Sequence, residues 1–167
     1  MKTRFLFLLK YSIFWLVFFT FARLFFMAYE FGQTAQVSAG EWWSILIRGA
    51  WMDTSLIGYI LLLSGLLLAL HFYSKGNWII STFKYYTIIL LAVFTFIVVC
   101  DAELYRNWGF RIDATPFLYL KTPGDAFASV KLLLIIALTA IAIIVFTAFF
   151  IIYQRQILKK DTLVERG

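Results

Sequence analysis

One cysteine (Cys100) and one histidine (His71) are all that this chain holds of the two residue types that close disulfides or most often bind transition metals. That scarcity excludes an intrachain disulfide and a clustered His/Cys metal site. Cys100 reads as a small buried apolar residue, and His71, at the edge of an apolar run, as an interfacial imidazole. There is no G-x-S-x-G elbow, no phosphate-binding glycine loop and no H-E-x-x-H. The hydrolase, nucleotide-binding and zinc-protease chemistries that those motifs carry are therefore not signalled. Charge is scarce too: 14% of residues are Asp, Glu, Lys or Arg, against about a quarter in an average soluble domain. With 63% apolar residues, the chain reads as an integral membrane protein rather than a soluble one.

What the sequence has in place of charge is long apolar runs. A helix needs about 20 apolar residues to cross a hydrocarbon core about 30 Å thick. Four runs qualify, which predicts an all-α integral membrane protein with a single membrane domain over residues 1–167. The first is Phe5 to Tyr29, with Lys10 and Arg23 near its two ends, where long cationic side chains can snorkel to the interface. Its length and the lack of an A-x-A site argue against a cleaved signal peptide. The second is Ser55 to Tyr73, the third Trp78 to Cys100, and the fourth Leu132 to Tyr153, which carries no formal charge. Ser64, Gly58 and Gly65 permit close helix contact in the second run. No Asp, Glu or His lies in the middle of a predicted span, which disfavours a transporter.

Basic residues set the expected orientation. With the N-terminus inside, nine of the fifteen fall on the cytoplasmic side (Lys2, Arg4, Lys10, Lys75, Lys84, Arg155, Lys159, Lys160, Arg166) and six outside. The positive-inside rule then places both ends of this chain in the cytoplasm. The net charge of +6 is thereby assigned to topology and anionic headgroups, and nucleic acid is not an expected partner.

Two loops, 30–54 and 101–131, fall on the outer side and look ordered. "SAGE" at Ser38 to Glu41 has the form of a capping box, predicting a helix from about Ala39 into the second span. Trp42, Trp43 and Trp51 on it suit the headgroup level. "TPGD" at Thr122 to Asp125 caps a second helix leading into the fourth span. Both loops are expected to hold interfacial helices. Between them, "DAELYRNWGFRIDATP" (Asp101 to Pro116) concentrates acids, guanidinium groups and aromatics at the lip of the third span. If that helix continues past Cys100, Glu103 and Arg106 stand at i, i+3 and can pair, and Gly109 allows a sharp turn. Arg48, Asp53, Asp101, Glu103, Arg106, Arg111 and Asp113 thus form the candidate site. It is either a contact for a phosphate-bearing headgroup or another domain, or a self-neutralised ion-pair network that fixes the loop.

The segments "RGAWMDTSLIGYILLLSGLLLAL" and "VVCDAELYRNWGFRIDATPFLYLKTPGDAFAS" resemble the N-terminal membrane region of lipoteichoic acid synthase-like phosphoglycerol transferases of the sulfatase/alkaline phosphatase superfamily, in the versions found in Bacteroidetes-type bacteria. The resemblance implies a multi-pass module in the bacterial inner membrane, followed by a fifth span and an outward catalytic domain. It assigns to that domain a threonine or serine nucleophile and a divalent metal, typically manganese. A phosphatidylglycerol-like headgroup and the sulfatase-type domain are then the implied partners. The chain departs from the pattern at Trp51, where a basic residue is expected, and in stopping at Gly167 before the fifth span. The resemblance therefore implies an anchor and positioning module with no catalytic residue, cofactor or metal of its own. The alternative is a stand-alone small membrane protein that binds a partner in the membrane.

Overall fold

The computed structural model describes residues 2–73, 77–109, 111 and 132–157. In lipid a backbone amide has no water to bond, so an apolar run resolves as a helix that satisfies its polar groups internally. The described elements are helices: α1 (Lys2–Tyr29), α2 (Phe31–Thr34), α3 (Ala39–Tyr73), α4 (Asn77–Trp108) and α5 (Leu132–Gln156). Four of them are long and apolar enough to cross a membrane, over Phe5–Tyr29, Ala39–Leu70, Ser81–Asn107 and Leu132–Gln156. The chain is a multi-pass all-α bundle.

Local chemistry sets the helix ends. Ser38 caps α3: its Oγ accepts the Glu41 N–H at 3.4 Å, and Glu41 Oε2 accepts the Ser38 N–H at 2.8 Å and its hydroxyl at 2.7 Å. This is the reciprocal capping box expected from "SAGE". The helix placed in the first outer loop is thus the N-terminal part of α3, continuous with the second span. With 35 residues, α3 is about 52 Å long, well beyond the hydrocarbon thickness of about 30 Å. Along this first stretch Trp43, Ile47 and Trp51 are exposed at helical spacing. At the other break, Gly109 adopts a φ of +73°, a conformation costly for other L-residues, and turns the chain after α4. The TPGD helix expected in the second loop lies outside the described residues, as does the side chain of His71.

Interhelical contacts define the packing sense. Tyr11 meets Thr87 and Tyr29 meets Glu103, so α1 and α4 run parallel. Arg23 meets Asp53, and Phe14 packs on Phe149 and Tyr153, so α3 and α5 run back against α1. The end where α1 and α4 finish and α3 begins is termed the polar end.

The core is largely aromatic. Trp15 packs on Phe94 at 5.6 Å between ring centroids, Phe18 on Phe149 at 5.0 Å and Phe7 on Phe83 at 5.3 Å. Lipid is as apolar as these rings, so their gain comes from close packing and ring geometry rather than escape from water. Within the core lies a layer of fully buried hydroxyls. Tyr11 and Thr87 hydrogen-bond at 3.0 Å, and Ser64 donates to the Ile60 carbonyl at 2.9 Å. Ser64 faces the core as expected, whereas a Cβ on Gly58 or Gly65 would meet nothing within 4 Å, so neither glycine mediates a helix contact. The outward faces remain apolar, as at Leu62, Phe96 and Ile144, which suits a lipid surround.

Candidate functional site

The polar end is built where α1, α3 and α4 converge. Arg23 sits inside the apolar run of α1 and faces α3, where its Nη2 donates to Asp53 Oδ1 at 3.1 Å and Oδ2 at 3.0 Å. Both side chains are largely buried, 19% and 13% exposed. Space for this pair comes from Gly49, one turn before Asp53: a Cβ there would overlap the Arg23 guanidinium. The snorkelling expected for Arg23 is therefore replaced by an interhelical ion pair. A carboxylate one helix away is a better partner than an interface reached by bending a side chain through lipid. Arg23 Nη1 is buried without a hydrogen-bond partner among the described residues.

A second ion pair closes the end of α4. Asp101 is buried, 5% exposed, and Arg111 donates to its Oδ2 from Nε at 3.0 Å and from Nη2 at 2.5 Å. The turn at Gly109 brings Arg111 back across ten residues, and the guanidinium lies 4.6 Å above the Phe26 ring of α1. Cation, carboxylate and π face thus tie α1 to α4. Phe26 also meets the Tyr105 ring at 5.1 Å.

Glu103 joins the same two helices differently. Its Oε2 accepts the Tyr29 hydroxyl and its Oε1 accepts Asn107 Nδ2 at 2.6 Å. The ion pair expected between Glu103 and Arg106 is not formed: the two carboxylate oxygens take the Tyr29 hydroxyl and the Asn107 amide. Arg106 instead lies 5.6 Å from the Tyr29 ring centroid, with its side chain exposed. Arg48 is exposed on α3 and makes no ion pair among the described residues. Asp113 lies outside them.

Of the seven candidate residues, the structure brings Asp101 and Arg111 into direct contact, and ties Glu103 and Arg106 together through Tyr29. It gives Asp53 to Arg23 instead. Arg23, which the sequence reading took as a snorkelling cation, and Gly49, Tyr29 and Asn107 were not among the candidate site residues. A signal for Arg23 existed, since an ionisable residue inside an apolar span marks a partner by default. For Gly49 and Tyr29 none did, because their roles depend on which face of each helix turns inward.

The resulting electrostatics are asymmetric. Asp53 and Asp101 point into the bundle and Glu103 is half-buried, whereas Arg48, Arg106 and Arg111 are exposed, Arg111 to 68%. Such a surface offers planar, multidentate donors to a phosphate or carboxylate. Among the described residues no group of three His, Cys, Asp or Glu side chains is placed to hold a metal ion. The chain matches no protein-family model, and no similar curated protein or solved structure was found.

Proposed function

We propose that this chain is a membrane anchor whose polar end positions an anionic lipid headgroup, or the docking face of an outward catalytic domain, at the outer surface of a bacterial inner membrane. The observation that carries this reading is the sorting of charge at the polar end: Asp53 and Asp101 are turned inward and Glu103 is half-buried, the guanidinium groups of Arg48, Arg106 and Arg111 are turned out, and Glu41 in the α3 cap is the exposed acid among the described residues there. Arg48 and Arg106 are exposed and make no ion pair among the described residues, so the ion pairs of this end do not account for them. The resemblance of this same region to lipoteichoic acid synthase-like phosphoglycerol transferases supports a phosphatidylglycerol-like headgroup. In this reading the nucleophile and the manganese belong to a sulfatase-type domain, and this chain contributes position and orientation only.

The native gene product, detected in bacterial membranes with an antibody to the 30–54 loop, is expected to be several times heavier than the 19.4 kDa of this chain. Arg106→Ala combined with Arg111→Ala is expected to reduce turnover of phosphatidylglycerol by that product at unchanged protein level. Unchanged turnover would remove the headgroup role. A native product of the chain's own mass would favour a second reading, a free-standing protein that binds another membrane helix. The nearly unburied α5, whose buried residues are Phe149 and Tyr153, offers a face for that.

A further inference from the structure

At the opposite end of the bundle, α1 and α5 enclose an open groove of about 210 Å³. Ile13 and Val17 of α1 and Ile152 of α5 form its walls, each 41 to 52% exposed, and Phe14, 5% exposed, lies beneath them. Its polar lining residues are Lys10 and Gln156. Because α1 and α5 run in opposite senses, these two stand together at the end of the groove nearest the start of α1, while the apolar walls lead away toward the polar end.

We propose that this groove binds one phospholipid with an anionic headgroup, its acyl chain along Ile13, Val17 and Ile152 and its phosphate on Lys10, with Gln156 as an amide donor. Charge complementarity selects this occupant. Among the described residues the lining has one cation and no acid, and Lys10 forms no ion pair. A molecule that matches has an anionic tip and a long apolar tail. Depth agrees: Lys10 lies about 28 Å along α1 from Tyr29, close to the hydrocarbon thickness of about 30 Å. With the Tyr29–Glu103 cluster at one headgroup layer, Lys10 reaches the other, where a lysine ammonium serves as a compact phosphate donor. This site lies at the far end of the molecule from the guanidinium surface and rests on no part of that reading.

The test is photo-crosslinking of the full chain in phosphatidylcholine vesicles containing a trace of phosphatidylglycerol with a diazirine in its acyl chain, followed by peptide mapping. Label is expected on the peptides holding Ile13, Val17 and Ile152. It should fall about fivefold in Lys10→Gln, the size expected for one lysine at an anionic lipid surface. Val17→Trp fills the groove and should abolish the label, whereas Lys84→Gln, a charge removed from α4, should leave it unchanged. Phosphatidylcholine carrying the same diazirine should label these peptides weakly. Equal labelling by the two lipids, or undiminished labelling of a folded Lys10→Gln protein, would overturn the proposal. Helicity by circular dichroism establishes folding, and if Lys10→Gln does not fold, the comparison of the two lipids on the unsubstituted chain decides.

Discussion

A guanidinium inside an apolar helix has to be satisfied by protein, since lipid offers it no partner, and Arg23 meets that demand through Asp53 and the open space at Gly49. Removing one partner of a largely buried pair leaves the other charge stranded. Asp53→Asn should therefore destabilise the bundle by about 3 kcal/mol, measured by SDS titration followed by circular dichroism. Replacing both partners by Arg23→Met and Asp53→Leu should recover most of that loss, because no buried charge then remains. A double variant as unstable as Asp53→Asn would show that the pair is not the cause. Gly49→Ala should displace the guanidinium and cost a similar amount. Its effect should not add to that of Asp53→Asn, since both break one interaction. The buried hydroxyls provide a contrast. Tyr11→Phe removes the bond to Thr87 and should cost about 0.6 kcal/mol, a typical interhelical hydrogen bond in lipid. Tyr153→Phe should be neutral or stabilising, as that hydroxyl is buried without a partner among the described residues.

Each helix has ends chosen by a few residues, and at this scale the sequence reading was most direct. The Ser38 and Glu41 box was visible as a four-residue pattern because capping is a local competition for the first backbone donors. Ser38→Ala should weaken the first turn of α3 by about 1 kcal/mol, seen as faster amide exchange at Trp42 and Trp43 with the rest of α3 unaffected. Gly109 was likewise readable as a turn. Its φ of +73° predicts that Gly109→Ala costs about 1–2 kcal/mol. The same substitution should loosen Arg111 from Asp101, which a thermal unfolding series with Arg111→Ala would reveal as non-additive loss. The Glu103 and Arg106 pair illustrates the limit of local reading. Spacing of i, i+3 makes the contact possible, but Tyr29, 74 residues away, takes the carboxylate first.

For the whole molecule the polar end and the Lys10 end should face opposite sides of the membrane. The positive-inside rule puts the polar end outside. In a Cys100→Ser background, Ser38→Cys should react with a membrane-impermeant maleimide added to intact cells, and Gln156→Cys only after permeabilisation. The reverse pattern would invert the bundle and remove the outer-surface role proposed for Arg106 and Arg111. That the chain spans a membrane four times as helices was determined by sequence alone, because it follows from the length of apolar runs and the need to satisfy backbone amides within each segment. The α3 cap and the turn at Gly109 were equally local matters. Partner choice was not. In a bundle surrounded by lipid, packed and lipid-facing sides are both apolar, so periodicity does not disclose which side turns inward. Only the tertiary structure decided that Gly49 opens space for Arg23, that Asp53 answers it across 30 residues, and that Tyr29 holds Glu103, because these depend on the rotation and register of helices packed against one another.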